Sequence, residues 1–271
     1  MRNAGREPET LEVGSRVSIV AIPGIPTIER GDDLLAIVSD ALRRAEVGLT
    51  DDDVVVIASK IVSRAEGCFV DLSTVVPQES SRALAVEVDK DPRLVELIMS
   101  ESHGISRKRE GALIVRHRLG FVSANAGIDA SNSAPKDAPE GSGPWVLTLP
   151  RDPDATAARM REHLQQQMGA TVGVVITDSW GRPFRRGTVG FALGSSGVPP
   201  VVDRRGAHDR HGRELEATET AAADAIAAAA DLVAGQADEG RPVTVVRGLR
   251  FTPSNESSRA LQRDPDLDLY A

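Results

Sequence analysis

Two aspartates carry most of the chemistry that the residue types of this chain allow. Asp178 follows the apolar, β-branched residues 172–176 and is followed by Gly181 and three arginines, Arg182, Arg185 and Arg186. Asp129 lies in Asn125-Ala-Gly-Ile-Asp-Ala-Ser-Asn132, a polar segment without regular periodicity. A carboxylate at the end of a buried strand can hold a hard divalent cation, which prefers oxygen ligands and leaves positions for phosphate oxygens. Arginines beside it supply fixed positive charge and a planar fork that matches phosphate. The pattern points to phosphoryl chemistry. A plainer reading stays open on spacing alone, because Asp often closes a turn on its own backbone and arginines suit a solvated loop. Lys60 and Arg64, just after residues 53–58, are a weaker pair of the same kind.

Other chemistries find less support. No Gly-x-x-x-x-Gly-Lys-Ser/Thr stretch occurs, and Gly190, Gly194 and Gly197 do not match the dinucleotide fingerprint. His208 and His211 have a spacing that suits zinc on a helix, but Gly206 and Gly212 favour a turn, and two ligands do not complete a site. No Ser-His-Asp or Cys-His set is evident. The single cysteine, Cys68, rules out an intrachain disulfide and reads as a small apolar filler.

The elements that must position these residues follow from caps and periodicity. Residues 17–22, 53–58, 112–116, 121–124, 145–149, 172–176 and 244–246 read as strands. Asp32 or Asp33 caps a helix through Leu34, Val38 and Leu42. Residues 79–88 form a second helix. Asp91-Pro92 and Asp152-Pro153 each open another, an N-cap followed by proline at the first helical position. Gly169 ends the helix begun at Pro153. Residues 221–233 form an alanine-rich helix. The segment 133–143 is an exposed loop rich in Pro, Gly and Ser. Strands and helices do not alternate strictly, so the expected class is α+β, mixed sheets with flanking helices, rather than a doubly wound sheet. Residues 1–14 read as a flexible leader, 15–250 as one domain and 251–271 as a polar tail.

The 271 residues carry 32 Lys and Arg against 40 Asp and Glu, a net charge of -8, which argues against a nucleic-acid binder. Aromatics at 3% leave no stacking platform for single strands. No stretch approaches the roughly 18 apolar residues of a membrane span, and the polar N-terminus lacks a signal core. The expected location is the cytoplasm.

Segments 25–33, 53–67, 125–132, 172–187 and 214–219, in that order, resemble the coenzyme F420-0:L-glutamate ligase family, which attaches glutamate to a deazaflavin coenzyme. The resemblance runs from about Val17 to Gly248, so 15–250 would be the ligase domain. It implies a GTP-dependent amide ligase that uses F420-0, GTP and L-glutamate and passes through an acyl phosphate. It implies Mg²⁺ or Mn²⁺, with K⁺ as an accessory ion, and an intertwined homodimer with the family's fold. Asp129 and Asp178 fall on metal-binding aspartates. Ser179 stands where threonine is usual, and Gln236 where the pattern can carry a glutamate ligand. Arg182 and Arg186 join the two aspartates as expected catalytic residues. Ile25, Pro26, Thr27 and Ile28 fall on a GTP-contacting loop, Ser59 and Lys60 on a contacting pair, and Asn132 on a further contact. Ala234, Gly235, Gln236, Ala237, Asp238, Glu239, Gly240 and Arg241 fall on another such loop. Arg64 replaces a usual lysine among the nucleotide contacts. Two alternatives remain: an amide ligase for another carboxylate acceptor, and a GTP-binding regulator without catalysis.

Overall fold

The computed structural model describes residues 10–264 together with Leu267 and Asp268. In chain order the elements begin with β1 (Leu11–Ala21), α1 (Leu34–Arg44), β2 (Val54–Ala58), α2 (Ser59–Ala65) and β3 (Phe69–Asp71). Next come α3 (Glu79–Val88), α4 (Pro92–Ser100), β4 (Ser102–Arg109), β5 (Ala112–His117), β6 (Val122–Ala124) and β7 (Trp145–Leu147). The second half contains α5 (Pro153–Met168), β8 (Gly173–Gly181), β9 (Thr188–Ser196), β10 (Val201–Asp203), β11 (Glu219–Ala221), α6 (Ala222–Ala234) and β12 (Val243–Phe251).

Five strands form the main sheet in the order β1-β12-β2-β8-β9. Only the β2–β8 pair is parallel; its neighbours run antiparallel. The central strands are buried on both faces, so their sequences read as continuous Val and Ile runs. One face packs Val55, Ile57, Val174 and Ile176 against Val38 and Leu42 of α1 and Met160 and Leu164 of α5. The other packs Val54, Val56 and Val175 against Ala223, Ile226, Ala227 and Ala230 of α6. A separate antiparallel sheet, β4-β5-β6, forms a second core with α3 and α4 around Leu84, Val88, Ile98, Leu113 and Val115. The expected α+β class with mixed sheets holds. Among the described residues no helix is long and apolar enough to cross a membrane.

The caps behave as their chemistry requires. Asp33, Asp91 and Asp152 each accept a backbone N–H from the first turn of α1, α4 and α5. Gly169 closes α5 at φ 75°, a left-handed conformation that glycine adopts without a Cβ penalty.

Several boundaries differ from expectation. β8 does not stop at Asp178 but continues to Gly181, because β9 pairs with it throughout and Gly181 faces Thr188. The glycine-spaced residues 190–197, to which the sequence assigns no element, therefore supply most of a strand. Their glycines serve close packing: a methyl at Gly190 would lie 2.6 Å from the Ala227 carbonyl oxygen of α6. β1 begins at Leu11, inside the expected leader, through pairing with Phe251 of β12. β12 in turn reaches the first residue of the expected tail. Residues 1–9 of that leader, and 265, 266 and 269–271 of that tail, lie outside the described residues. The polar, alternating strand β4 and the short helix α2 had no distinct signal. Asp53, only 1% exposed, receives a paired contact from Arg247 at 2.6 and 2.8 Å, which ties β12 to the approach to β2.

Candidate functional site

The carboxyl ends of the parallel pair β2 and β8 create the site. Ala58 pairs with Thr177, so Ser59, the first residue of α2, comes level with Asp178. A register shift between Ile176 and Thr177 interrupts the β8–β9 ladder there. Such a bulge re-aims the side chains beside it. The Ser59 hydroxyl donates to Asp178 Oδ2 at 2.8 Å, and the Ser179 backbone N–H to Asp178 Oδ1 at 2.7 Å.

Asp129 arrives from a different part of the chain. Residues 125–127 turn through positive φ, and Asp129 then exchanges two backbone hydrogen bonds with Leu147 of β7, at 2.8 and 2.9 Å. Its Oδ1 accepts from the Ser131 backbone and hydroxyl, both at 2.7 Å, while its Oδ2 meets Lys60 Nζ at 2.8 Å. One oxygen of this aspartate thus closes a turn, as the plainer reading expects, and the other pairs with Lys60. Lys60 Nζ also donates to the Ser131 carbonyl at 2.7 Å.

Both aspartates line one cleft of about 870 Å³. Burial pushes the Asp178 carboxyl up to about 6, and the nearby Asp129 charge adds to this against the opposing bonds from Ser59 and Ser179. Burial also penalises the Asp129 carboxylate, but Lys60 and Ser131 outweigh it and hold that group below the ordinary range. Two carboxylates facing one cavity create a demand for a cation. Neutral oxygens stand near. The Ser179 hydroxyl donates to Gln236 Oε1 at 2.8 Å, and the Gln236 amide nitrogen bonds Asp231. An all-oxygen donor set of Asp129, Asp178, Ser179 and Gln236 fits a hard divalent ion. Among the described residues no three His, Cys, Asp or Glu side chains gather at a metal's reach, so neutral oxygens would have to complete any coordination beyond this pair.

The profile of the family described as F420-0:Gamma-glutamyl ligase matches residues 24–248. The chain belongs to that family. Its similarity to curated members spans nearly the whole length of both partners. It is 42% identical over 257 residues to the coenzyme F420:L-glutamate ligase of Methanopyrus kandleri, covering 93% of this chain and 96% of that one. Against the enzyme of the same name from Methanothermobacter thermautotrophicus, identity is 41% over 256 residues, with 94% and 98% covered. For that of Archaeoglobus fulgidus it is 41% over 234 residues, with 86% and 88% covered.

Within this member of the ligase family, the expected contacts converge unevenly. Ile25, Pro26, Thr27, Ile28, Ser59, Lys60, Arg64 and Asn132 line the cleft, as do Ala234, Gly235, Gln236, Ala237, Glu239, Gly240 and Arg241. Asp238 does not, and neither do Arg182 and Arg186. Those arginines sit on the turn between β8 and β9, where Arg182 Nη2 donates to the Arg186 carbonyl, at 3.3 Å, and Phe184 is 90% exposed. Extending β8 past Asp178 is what carries them away from the cleft of their own chain. His208 and His211 lie on an exposed loop between β10 and β11. Asp231, Ser131 and Thr188 were not expected in the cleft wall. Asp231 had a signal: with Asp224 it is one of two acids in an otherwise apolar helix, seven residues apart on the same face. Asp224 accepts the Ala192 backbone N–H of β9 at 2.9 Å, and Asp231 reaches the cleft two turns later.

Proposed function

We propose that this chain catalyses the GTP-dependent ligation of L-glutamate to F420-0, with GDP and phosphate as the other products. The observation that carries the reading is the pair Asp129 and Asp178, brought from separate segments to one cleft in a chain of this ligase family. A carboxylate oxygen of the acceptor attacks the γ-phosphorus of GTP, the bond to the β-phosphate oxygen breaks, and GDP leaves. The amine of glutamate then attacks the acyl carbon, loses a proton and displaces phosphate. Phosphorylation is needed because a free carboxylate oxygen is a poor leaving group.

The residues supply binding and orientation. Asp129, Asp178, Ser179 and Gln236 would hold Mg²⁺ or Mn²⁺, which neutralises phosphate charge and polarises the phosphoryl group. Ser59 and the Ser179 N–H fix both oxygens of Asp178, so its carboxylate presents one orientation. Lys60, bonded to Asp129, stands at the cleft with a flexible stem and a point charge suited to phosphate. Residues 25–28 and, Asp238 apart, 234–241 form separate stretches of the cleft wall and are assigned to the nucleotide. A homodimer accords with the exposed turn that carries Arg182, Arg185 and Arg186, outside the cleft of its own chain.

The test is incubation with F420-0, GTP, L-glutamate and Mg²⁺, read by product mass. A gain of one or more glutamyl units with matched GDP release supports the reading. GTP hydrolysis indifferent to both other substrates overturns it.

A further inference from the structure

We propose that Arg64 and Glu29 form a clamp that positions the 25–28 loop assigned to GTP and the turn from Asp129 to Asn132, and that Arg64 itself does not ligate phosphate. The inference deepens the GTP-dependent reading and rests on it for the identity of the ligand.

Arg64 lies in the last turn of α2 with only 8% of its side chain exposed. Three of its five N–H donors are committed inside the protein, one from each nitrogen. Nε donates to the Ile28 carbonyl at 2.5 Å, Nη1 to the Asn132 carbonyl at 3.0 Å and Nη2 to Glu29 Oε1 at 2.9 Å. The guanidinium carbon stands 5.0 Å from the centroid of the Phe69 ring, so an aromatic ring occupies one of its faces. Glu29 extends the clamp, because its second oxygen accepts the Lys136 backbone N–H at 3.1 Å. One side-chain pair thus ties α2 to residues 28–29, to Asn132 and to the loop after it.

The chemistry favours positioning over phosphate binding for two reasons. A guanidinium already paired with a carboxylate presents little net charge to a third group. Its planar fork also makes directed bonds to two carbonyls at once, which the single ammonium of lysine cannot reproduce. Ile28, 1% exposed, and Asn132, at φ 48°, are the residues whose carbonyls it holds. Fixing those carbonyls fixes both the 25–28 loop and the Asp129 turn, which line the same cleft.

The test compares wild type, Arg64→Lys and Glu29→Gln for binding of GMP, GDP and GTP by calorimetry. Amide hydrogen exchange of the nucleotide-free proteins is measured in parallel. A positioning clamp predicts that both variants weaken all three nucleotides by one common factor, about tenfold. KM for GTP should rise, and exchange should quicken at residues 25–29 and 129–132 while the β2 and β8 amides stay protected. A phosphate ligand predicts a loss that grows with phosphate number in Arg64→Lys, and tighter GTP binding in Glu29→Gln, where the carboxylate no longer competes. Either of those results, or unchanged exchange in both loops, overturns the clamp. Absence of guanine-nucleotide binding by wild type would count against the GTP reading alone, since the exchange data decide the clamp without nucleotide.

Discussion

At the site, the Asp178 carboxyl is raised from an ordinary 3.8 to about 6 by burial and by its neighbour Asp129. The native protein therefore binds this proton more tightly than the unfolded chain. The group's contribution to stability is present in full below the unfolded value and is lost as pH rises through about 6. Near neutral pH a metal-free protein carries an unfavourable charge at the place where a cation is wanted. Asp178→Asn removes that charge, so the metal-free variant should melt higher, by about 1 kcal/mol after allowing for water in the cleft. Turnover in the same variant should fall by roughly a thousandfold or more, about 4 kcal/mol of lost phosphoryl stabilisation. Calorimetry and GDP release check the two halves, and a variant both less stable and still active would contradict the assignment. Metal ligands must also be deprotonated. Mn²⁺ affinity, measured by titration, should hold steady above about pH 6 and weaken by about tenfold for each unit below it.

Helix α6 and strand β9 show how elements aim this chemistry. The helix is alanine-rich along the face that meets the sheet, and β9 answers with Gly190 where the two backbones come closest. Asp224 near the start of α6 fastens it to Ala192, which leaves Asp231 and Gln236 at the far end beside Ser179. A methyl group at Gly190 has no space and must push α6 outward. Gly190→Ala should cost about 1–3 kcal/mol in chemical denaturation. Because the displaced end of α6 leads into the 234–241 loop, the same variant should also weaken GTP binding. Stability and nucleotide affinity both unchanged would show that the contact is more forgiving than the geometry allows.

Across the whole molecule, charge decides how ligands enter. The cleft wall carries Asp129, Asp178, Asp231 and Glu239 against Lys60, Arg64 and Arg241, and Arg64 is already paired with Glu29. A triphosphate alone meets a cavity without surplus positive charge. Mg²⁺ and GTP together, at about a hundred times their Kd, should raise the melting temperature by roughly 5–10 °C, from about 2.7 kcal/mol of linkage. GTP with a chelator should give a much smaller rise. Equal shifts with and without metal would place the nucleotide away from the aspartates.

Much of the scaffold was legible in the chain alone. Caps at Asp33, Asp91 and Asp152 and the Val and Ile runs of β2 and β8 are local effects, set by hydrogen bonds and burial within a few residues. Asp129 and Asp178 could be nominated for the same reason, since residue type beside a strand is visible without a fold. What the chain alone left open was direction. β8 runs past Asp178 because the following strand β9 pairs with it, Asp178 opposite Phe191, and that pairing carries Arg182 and Arg186 out of the cleft. Arg64 could be nominated by type and does line the cleft, but its bonds to Ile28, Asn132 and Glu29 form only once distant loops close around it. Side-chain partners across tens of residues depend on which segments meet, and only tertiary packing decides that.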